Sequence, residues 1–272
     1  MTTHSFTDPV FRDIPCALTI GVFDGLHRGH DRIIETCVDR AREKGVESVV
    51  ITFNINPKMA KGREEKLLPL ASDDDFRQIL SEKGVDRLAV IDFSDNMSKL
   101  SGEEFMALLC TSYRLEAMIV GSSFRCGNPA DSAGPARLEK LLRKYTSSAS
   151  LDIVSPVLEN GTEVSSSLIR RCLLTGDTEY ASVLLGRAYS LDLRSVGFER
   201  KTGDRLFYSI RAFRQLLPCA GAYEVKAAGI AESAPMSGPA DCDAEAVIGK
   251  DGLVLDLHAR IIPDRIYFPS GE

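Results

Sequence analysis

Up to about residue 185, the chain alternates short apolar runs with longer helical patterns. Runs rich in valine, isoleucine and leucine predict strands at residues 17–20, 47–53, 87–93, 116–120 and 151–157. Apolar residues at helical spacing predict helices at residues 31–38, 72–83, 101–109, 134–145, 166–175 and 177–185. Strands that alternate with helices form a parallel sheet with helices packed on both faces. We therefore expect an α/β fold with a doubly wound, Rossmann-like parallel sheet.

The pattern changes near residue 186. Beyond it, strand-like segments are short and lie at residues 189–196, 206–210, 222–227, 246–248 and 253–259, with a polar loop expected at 232–241. Several short strands joined by turn residues are typical of a compact barrel or sandwich. We therefore predict two domains: residues 1–186 with the parallel sheet, and residues 187–272 as a smaller β-barrel domain.

Composition narrows the class of protein. The 272-residue chain has a formal net charge of −6, whereas dedicated nucleic-acid binders carry a basic excess. Apolar runs fall short of the roughly 18 residues of a membrane-spanning helix, and residues 1–9 lack the pattern of a secretory signal. The seven cysteines are scattered without a CxxC pair, as expected of reduced thiols. We expect a cytoplasmic protein without nucleic-acid or membrane partners, and the oligomeric state stays open.

Residues 21–30, with the sequence GVFDGLHRGH, join a predicted strand to a predicted helix. In an open α/β sheet this junction lies in the crevice where ligands bind. The first turn of a helix offers unpaired N–H groups and a positive dipole end, which suit phosphate. His27 and His30 add imidazole donors to the same segment. The segment therefore predicts a nucleotide phosphate site.

A second candidate for phosphate binding lies at the predicted start of the helix near residue 166. Ser165, Ser166 and Ser167 carry hydroxyls that can cap a helix or donate to phosphate. Arg170, one turn further on, can present a planar guanidinium to the same anion. The sequence contains none of the patterns GxxxxGK[ST], HExxH and GxSxG, which disfavours P-loop phosphotransfer, zinc proteolysis and serine hydrolysis.

These motifs resemble those of a known family. GVFDGLHRGH contains the HxGH pattern of the nucleotidylyltransferases, and its longer form is similar to bacterial FAD synthetases, which are commonly bifunctional. VGSSFRCG at residues 120–127 resembles the family's VGxDFRFG segment, and VSSSLIR at residues 164–170 resembles its ISSTxIR motif. The resemblance implies an FMN adenylyltransferase that uses ATP and Mg²⁺, releases pyrophosphate and makes FAD.

The resemblance also implies roles for individual residues. His27, His30 and Arg170 would stabilise charge on the triphosphate and in the transition state. The expected nucleotide-binding residues are Gly21, Phe23, Asp24, Gly25, Gly29, Ser165, Ser166 and Ser167. The expected flavin and nucleotide loop residues are Asn54, Ser123, Phe124 and Arg125. Asp24 would position the turn or join the metal environment, and metal ligands are otherwise unassigned.

The chain departs from the family pattern at several positions. The family usually carries TF-x-PHP where this chain has residues 52–57, and Ile55 and Asn56 replace a proline and a histidine. Ser123 stands at a position that is usually acidic or an amide, and Cys126 replaces a phenylalanine. These departures leave open a non-catalytic protein that binds flavin or nucleotide.

The second predicted domain also resembles the family, but less closely. LGRAYS at residues 185–190 is similar to the start of its riboflavin kinase domain, and PCAGAY at residues 218–223 is similar to its P-x-x-G-x-Y segment. The family's PTAN motif, which binds metal and nucleotide, is missing, and residues 206–210 stand in its place. We expect a degenerate kinase domain without kinase activity. The alternatives are a bifunctional enzyme, or a nucleotidylyltransferase of another acceptor such as a pantetheine phosphate or nicotinamide mononucleotide.

Overall fold

The computed structural model describes residues 1–8, 12–54, 67–92, 95–146, 148–200, 204–231 and 239–270. The chain forms two compact units. The first comprises Met1–Phe23, Gly29–Leu67 and Arg77–Leu158, and the second comprises Asp24–Arg28, Leu68–Phe76 and Glu159–Glu272. The division at residue 186 stays a prediction.

A six-stranded sheet forms the centre of the first unit. Its strands are β1 (Thr2–Ser5), β2 (Pro15–Ile20), β3 (Glu47–Phe53), β4 (Arg87–Ile91), β5 (Arg114–Gly121) and β6 (Ser150–Val154). The strands lie in the order β1-β4-β3-β2-β5-β6, and each neighbouring pair is parallel. The predicted doubly wound α/β class is therefore confirmed.

Strand β2 occupies the position where the chain changes direction across the sheet. The chain passes from β2 to β3 and β4 on one side, and then returns to place β5 on the other side. Residues 16–20 of β2 are all buried, as expected of a parallel strand covered on both faces. Ligands bind in open α/β sheets at the carboxyl ends of the strands that flank such a switch point. Gly21 follows β2 at this edge, and Gly121 ends β5.

Seven helices connect and follow the described strands. They are α1 (Arg28–Lys44), α2 (Asp73–Glu82), α3 (Asp95–Lys99), α4 (Gly102–Ser112), α5 (Pro135–Tyr145), α6 (Ser166–Thr175) and α7 (Thr178–Leu185). Helix α1 buries Ile34, Cys37, Val38 and Ala41 on one face. Ser101 and Glu104 form a capping box at the start of α4, with hydrogen bonds in both directions. Among the described helices, none combines the length and the hydrophobicity needed to cross a bilayer.

Short hairpin strands β7 (Leu158–Glu159) and β8 (Thr162–Glu163) precede α6. Asn160 and Gly161 connect them with φ angles of 49° and 76°. Two consecutive residues with positive φ are the requirement of a type I′ turn. This Asn-Gly pair therefore forms the turn of a β-hairpin.

The second unit contains an antiparallel half-barrel. Its strands are β9 (Ser190–Asp192), β10 (Phe198–Arg200), β11 (Arg205–Ser209), β12 (Gly221–Ala231), β13 (Pro239–Ile248), β14 (Gly252–Leu257) and β15 (Ile261–Tyr267). They lie in the order β10-β11-β14-β13-β12-β15-β9. The predicted β-structure after residue 186 is therefore confirmed.

One predicted loop in this half-barrel is shorter than the sequence suggests. Residues 239–241 were expected in a polar loop but belong to β13, because they pair with Ala228, Gly229 and Ile230 of β12. Residues 232–238 lie outside the described part of the chain. The small and polar residues at this strand end are not typical of a strand, so the sequence predicts a loop there. Backbone pairing with β12 nevertheless places these residues in the sheet.

Candidate functional site

The turn between β2 and α1 has an unusual backbone. Phe23, Gly25 and Leu26 all have positive φ, at 48°, 79° and 43°. Two of these residues are not glycine, and a left-handed backbone at such residues costs on the order of 1–3 kcal/mol each. A side chain at Gly25 would place its Cβ 2.9 Å from Cβ of Leu70. The turn therefore needs glycine at position 25 and strong support from its surroundings.

In the second unit, Asp24 and Arg170 supply part of that support. The Asp24 carboxylate accepts from Arg170 Nη2 at 2.5 Å and from the Leu70 amide at 2.9 Å. Arg170 Nη1 also donates to the Leu68 carbonyl at 2.6 Å. Both charged side chains are only 11% exposed. Each oxygen of Asp24 is thus engaged within the protein, which supports a positioning role over a place in the metal environment.

Arg187 supplies a second set of contacts to the same turn. Its guanidinium donates to the carbonyls of Gly25 at 2.5 Å and Leu26 at 2.8 Å. Ser166 Oγ donates to the Asp24 carbonyl at 2.9 Å. Sequence reasoning used Arg187 only as part of the LGRAYS resemblance and missed these contacts. The sequence signal that points to it is an arginine directly after the glycine that ends α7.

His27 is the most buried charged or imidazole side chain of the turn, at 5% exposure. Burial lowers the pKa of His27 to about 4, and the positive charge of Arg187 acts in the same direction. A cation with this pKa loses its proton well below neutral pH. His27 is therefore a neutral imidazole at pH 7.

In the first unit, His30 lies in the first turn of α1 and is half-buried. Its ring meets the edge of Phe23, with ring centroids 5.3 Å apart and an interplanar angle of 86°. Phe23 is itself buried, and a Cβ at Gly21 would lie 3.0 Å from its Cζ atom. Gly21 and Phe23 thus pack together beneath His30. Gly29 begins the same helical turn and leaves it free of a side chain.

A cavity of about 300 Å³ opens in the first unit at the carboxyl ends of β2 and β5. Its lining residues are Ile20, Gly21, Val22, Phe53, Met97, Ser98, Phe105, Phe124, Arg125, Cys126 and Gly127. The lining is largely apolar and aromatic, with Arg125 as the charged member. Such a cavity suits a flat aromatic ligand that carries an anionic group.

The structure brings only part of the predicted flavin loop to this cavity. Phe124 and Arg125 line it, whereas Ser123 and Asn54 are exposed and are not among its lining residues. Asn54 Nδ2 instead donates to Asp92 at 2.8 Å. Cys126, which replaces the usual phenylalanine, is buried in the core and also lines the cavity. Ile55 and Asn56 lie outside the described residues.

The serines before α6 have different surroundings. Ser165 is the N-cap and accepts from the Leu168 amide at 3.3 Å. Ser166 bonds the turn, as described above, while Ser167 is exposed in the first helical turn. The N-cap interpretation is therefore confirmed for Ser165, and Ser167 presents its hydroxyl to solvent.

No group of three or more His, Cys, Asp or Glu side chains within the described ranges is arranged to hold a metal ion. Mg²⁺ commonly binds through substrate phosphates with only one or two carboxylates. A divalent ion that arrives with a nucleoside triphosphate is therefore compatible with this arrangement.

The chain is similar to known proteins both in sequence and in fold. A family model described as FAD synthetase matches residues 12–168. The bifunctional riboflavin kinase/FMN adenylyltransferase of Bacillus subtilis is 30% identical over 174 residues, which cover 63% of this chain and 54% of that protein. The chain thus matches about half the length of this relative.

Proteins of the same name from two other bacteria match more of the chain. The Listeria monocytogenes protein is 27% identical, with 82% of this chain and 71% of that protein covered. The Escherichia coli protein is 28% identical, with 89% and 77% covered. A crystal structure titled as a macrolide-efflux protein from Streptococcus pneumoniae superimposes with a TM-score of 0.80 at 22% identity, covering 98% of this chain and 89% of that one. This last likeness shows a shared fold.

Proposed function

We propose that this chain, which belongs to the FAD synthetase family, transfers AMP from ATP to FMN, releasing pyrophosphate and giving FAD. Membership of this family confirms the expected class of enzyme, a nucleotidyltransferase. The observation that carries the proposal is the strained turn before α1, with a neutral, buried His27 and with His30 in the following helical turn. This turn lies inside the matched residues.

The chemistry that this turn must perform is charge stabilisation. The phosphate of FMN is already an anionic nucleophile, so that a strong general base is not required. The barrier lies in bringing two anions together and in stabilising charge on the α-phosphate and the departing pyrophosphate. We assign His27 and His30 to this task as N–H donors, and the amide groups at the start of α1 contribute in the same sense. Mg²⁺ enters as part of the substrate MgATP and neutralises phosphate charge.

We further propose that the start of α6 holds the β- and γ-phosphates. Ser167 is exposed in the first turn of the helix, where a hydroxyl can donate to phosphate. Arg170 is engaged with Asp24 and the Leu68 carbonyl. Its direct use on a phosphate therefore requires an exchange of the Asp24 carboxylate for a phosphate oxygen.

The cavity at the ends of β2 and β5 is our candidate for the flavin ring. Phe53, Phe105 and Phe124 offer aromatic faces, and Arg125 offers a cation for the FMN phosphate. Residues 1–186 would then carry adenylyl transfer, and residues 187–272 the kinase-like domain. Seven free cysteines agree with a reducing cytoplasm as the place of this reaction.

The kinase-like domain is expected to phosphorylate riboflavin poorly. Kinase chemistry needs groups that hold metal ions and orient the attacking hydroxyl. In β11, where the family motif would stand, Leu206 and Tyr208 are buried and Arg205 is paired with Asp256. A bifunctional enzyme is the second candidate, and it is favoured by the relatives' names and by alignments that reach 253 residues.

The test is incubation of the purified chain with MgATP and either FMN or riboflavin, with separation of the products by chromatography. We expect FAD and pyrophosphate from FMN, and little FMN from riboflavin. A folded protein that makes no FAD from FMN contradicts the adenylyltransferase proposal. FMN formed from riboflavin at a comparable rate would favour the bifunctional enzyme.

A further inference from the structure

The segment from Asp24 to Arg28 is held by contacts with residues that come much later in the chain. Arg28 forms an ion pair with Glu159 at 2.5 Å, and the carbonyls of Gly25 and Leu26 accept from Arg187. We propose that Arg187 is a positioning residue for adenylyl transfer, whose guanidinium fixes the peptide that presents His27. The proposal rests on the function proposed above.

The geometry of the Arg187 contacts is specific to a guanidinium. Two nitrogens of one planar group bond two successive carbonyls, at 2.5 and 2.8 Å. The Leu26 carbonyl belongs to the peptide bond that leads directly into His27, so its orientation sets the direction of the His27 backbone. A lysine ammonium is a single point donor and does not reproduce this fork.

The end of α7 aims Arg187 at the turn. Gly186 has a φ of 74°, and its N–H bonds the carbonyls of Ser182 and Val183. The Arg187 N–H also bonds the Ser182 carbonyl, at 3.2 Å. Backbone bonds of this kind end a helix in a fixed geometry. A Cβ at Gly186 would lie 3.1 Å from Cγ of Arg28, so glycine is also needed for this close approach.

The contacts explain how a strained backbone persists. Gly25 and Leu26 hold positive φ angles of 79° and 43°, and the carbonyls of these same two residues are the ones that Arg187 bonds. Hydrogen bonds to a charged donor are stronger than neutral ones, which offsets the cost at Leu26. The charge of Arg187 also favours neutral His27. One side chain thus fixes the peptide that leads into the proposed donor and adds to the effect of burial on its protonation state.

The consequence is that adenylyl transfer depends on a residue outside the segment that carries the family match. That match ends at residue 168, and residue 187 begins the domain predicted to be kinase-like. A role for that region in FAD synthesis then does not require any kinase chemistry.

The test compares Arg187→Met and Arg187→Lys with the control Arg214→Met, which removes an exposed arginine. Steady-state FAD synthesis gives kcat and KM, circular dichroism checks folding, and ¹⁵N-imidazole NMR follows the His27 titration. For Arg187→Met we expect kcat to fall by about 10- to 100-fold, as a displaced catalytic group requires, with a smaller change in the KM for ATP. We also expect the pKa of His27 to rise from about 4, because a neighbouring cation is removed. The lysine variant should lose kcat while its His27 pKa moves less, and the control should match wild type.

An unchanged kcat in both Arg187 variants, or an unchanged His27 pKa in a folded Arg187→Met, overturns the proposal. If both variants fail to fold, Arg187 is a stability residue and the proposal is also wrong. If wild type itself makes no FAD, the proposed function fails separately. In that case the NMR titration of His27 is the remaining test of the contact between Arg187 and the turn.

Discussion

The buried His27 predicts a measurable pH dependence of stability. Its pKa is lowered to about 4 in the folded chain, first by burial and then by Arg187, whereas a histidine in an unfolded chain titrates near 6.5. Between these values the unfolded state binds a proton that the folded state does not. The contribution of His27 is therefore fully present above about pH 6.5 and is lost as the pH falls toward 4. From pH 7 to pH 5 the loss amounts to about 2 kcal/mol.

The perturbation that isolates this contribution is His27→Gln, because glutamine keeps a neutral donor and does not titrate. Urea unfolding of wild type and variant at pH 7 and pH 5 gives the free energy of unfolding at each pH. We expect wild type to lose about 2 kcal/mol more than His27→Gln between the two conditions. The control is His258→Gln, which removes an exposed imidazole by the same substitution.

The difference between wild type and variant cancels the other titrating groups, which both chains share. Equal losses in wild type and His27→Gln would refute the reasoning. They would mean that His27 is hydrated in the folded chain, and its assignment as a neutral donor would fail with it.

Three further predictions concern the same turn. In a double-mutant cycle measured by urea unfolding, Asp24→Asn and Arg170→Met should each lower the free energy of unfolding by about 3 kcal/mol, because each leaves a buried partner uncompensated. The double variant should lose well below the sum of the two single losses. Simple additivity of the losses would contradict the ion pair. His30→Ala should lower the turnover of FAD synthesis by about 10²–10³-fold with an unchanged melting temperature, and wild-type turnover would make His30 structural. Gly25→Ala should destabilise by about 2–4 kcal/mol through positive φ and the clash with Leu70, whereas Gly45→Ala, with open space around its Cβ, should cost about 1 kcal/mol.

Five of the six strands of the parallel sheet were predictable because their evidence is local, whereas β1 (Thr2–Ser5) was missed. Valine, isoleucine and leucine runs mark β3 and β5, and the intervening helices carry their own apolar faces and caps. Strand β12 was predicted only to residue 227 but continues to Ala231. The added residues are alanine, glycine and isoleucine, whose strand conformation depends on pairing with β13 and β15.

The candidate site likewise has one part that local sequence predicts and another part that depends on residues far apart in the chain. Glycine and histidine spacing in residues 21–30 is visible in the sequence and predicts the turn and its chemistry. The partners of the turn are not visible, since Arg170 and Arg187 lie 146 and 162 residues from Asp24 and Gly25. The neutral state of His27 was also hidden, because it follows from burial at 5% exposure.

The separation between the turn and its arginines has a consequence during synthesis. Polypeptides grow at roughly 5–20 residues per second during synthesis, so that the 162 residues between Gly25 and Arg187 take on the order of 10–30 seconds to make. During this interval the guanidinium that secures the left-handed backbone of the complete turn is absent. Strands β2 to β5 can pair before residue 166 has emerged, whereas the turn acquires its final backbone only afterwards. A ribosome-bound chain stalled before residue 187 should therefore protect the amides of β2 from hydrogen exchange while leaving those of residues 24–28 open.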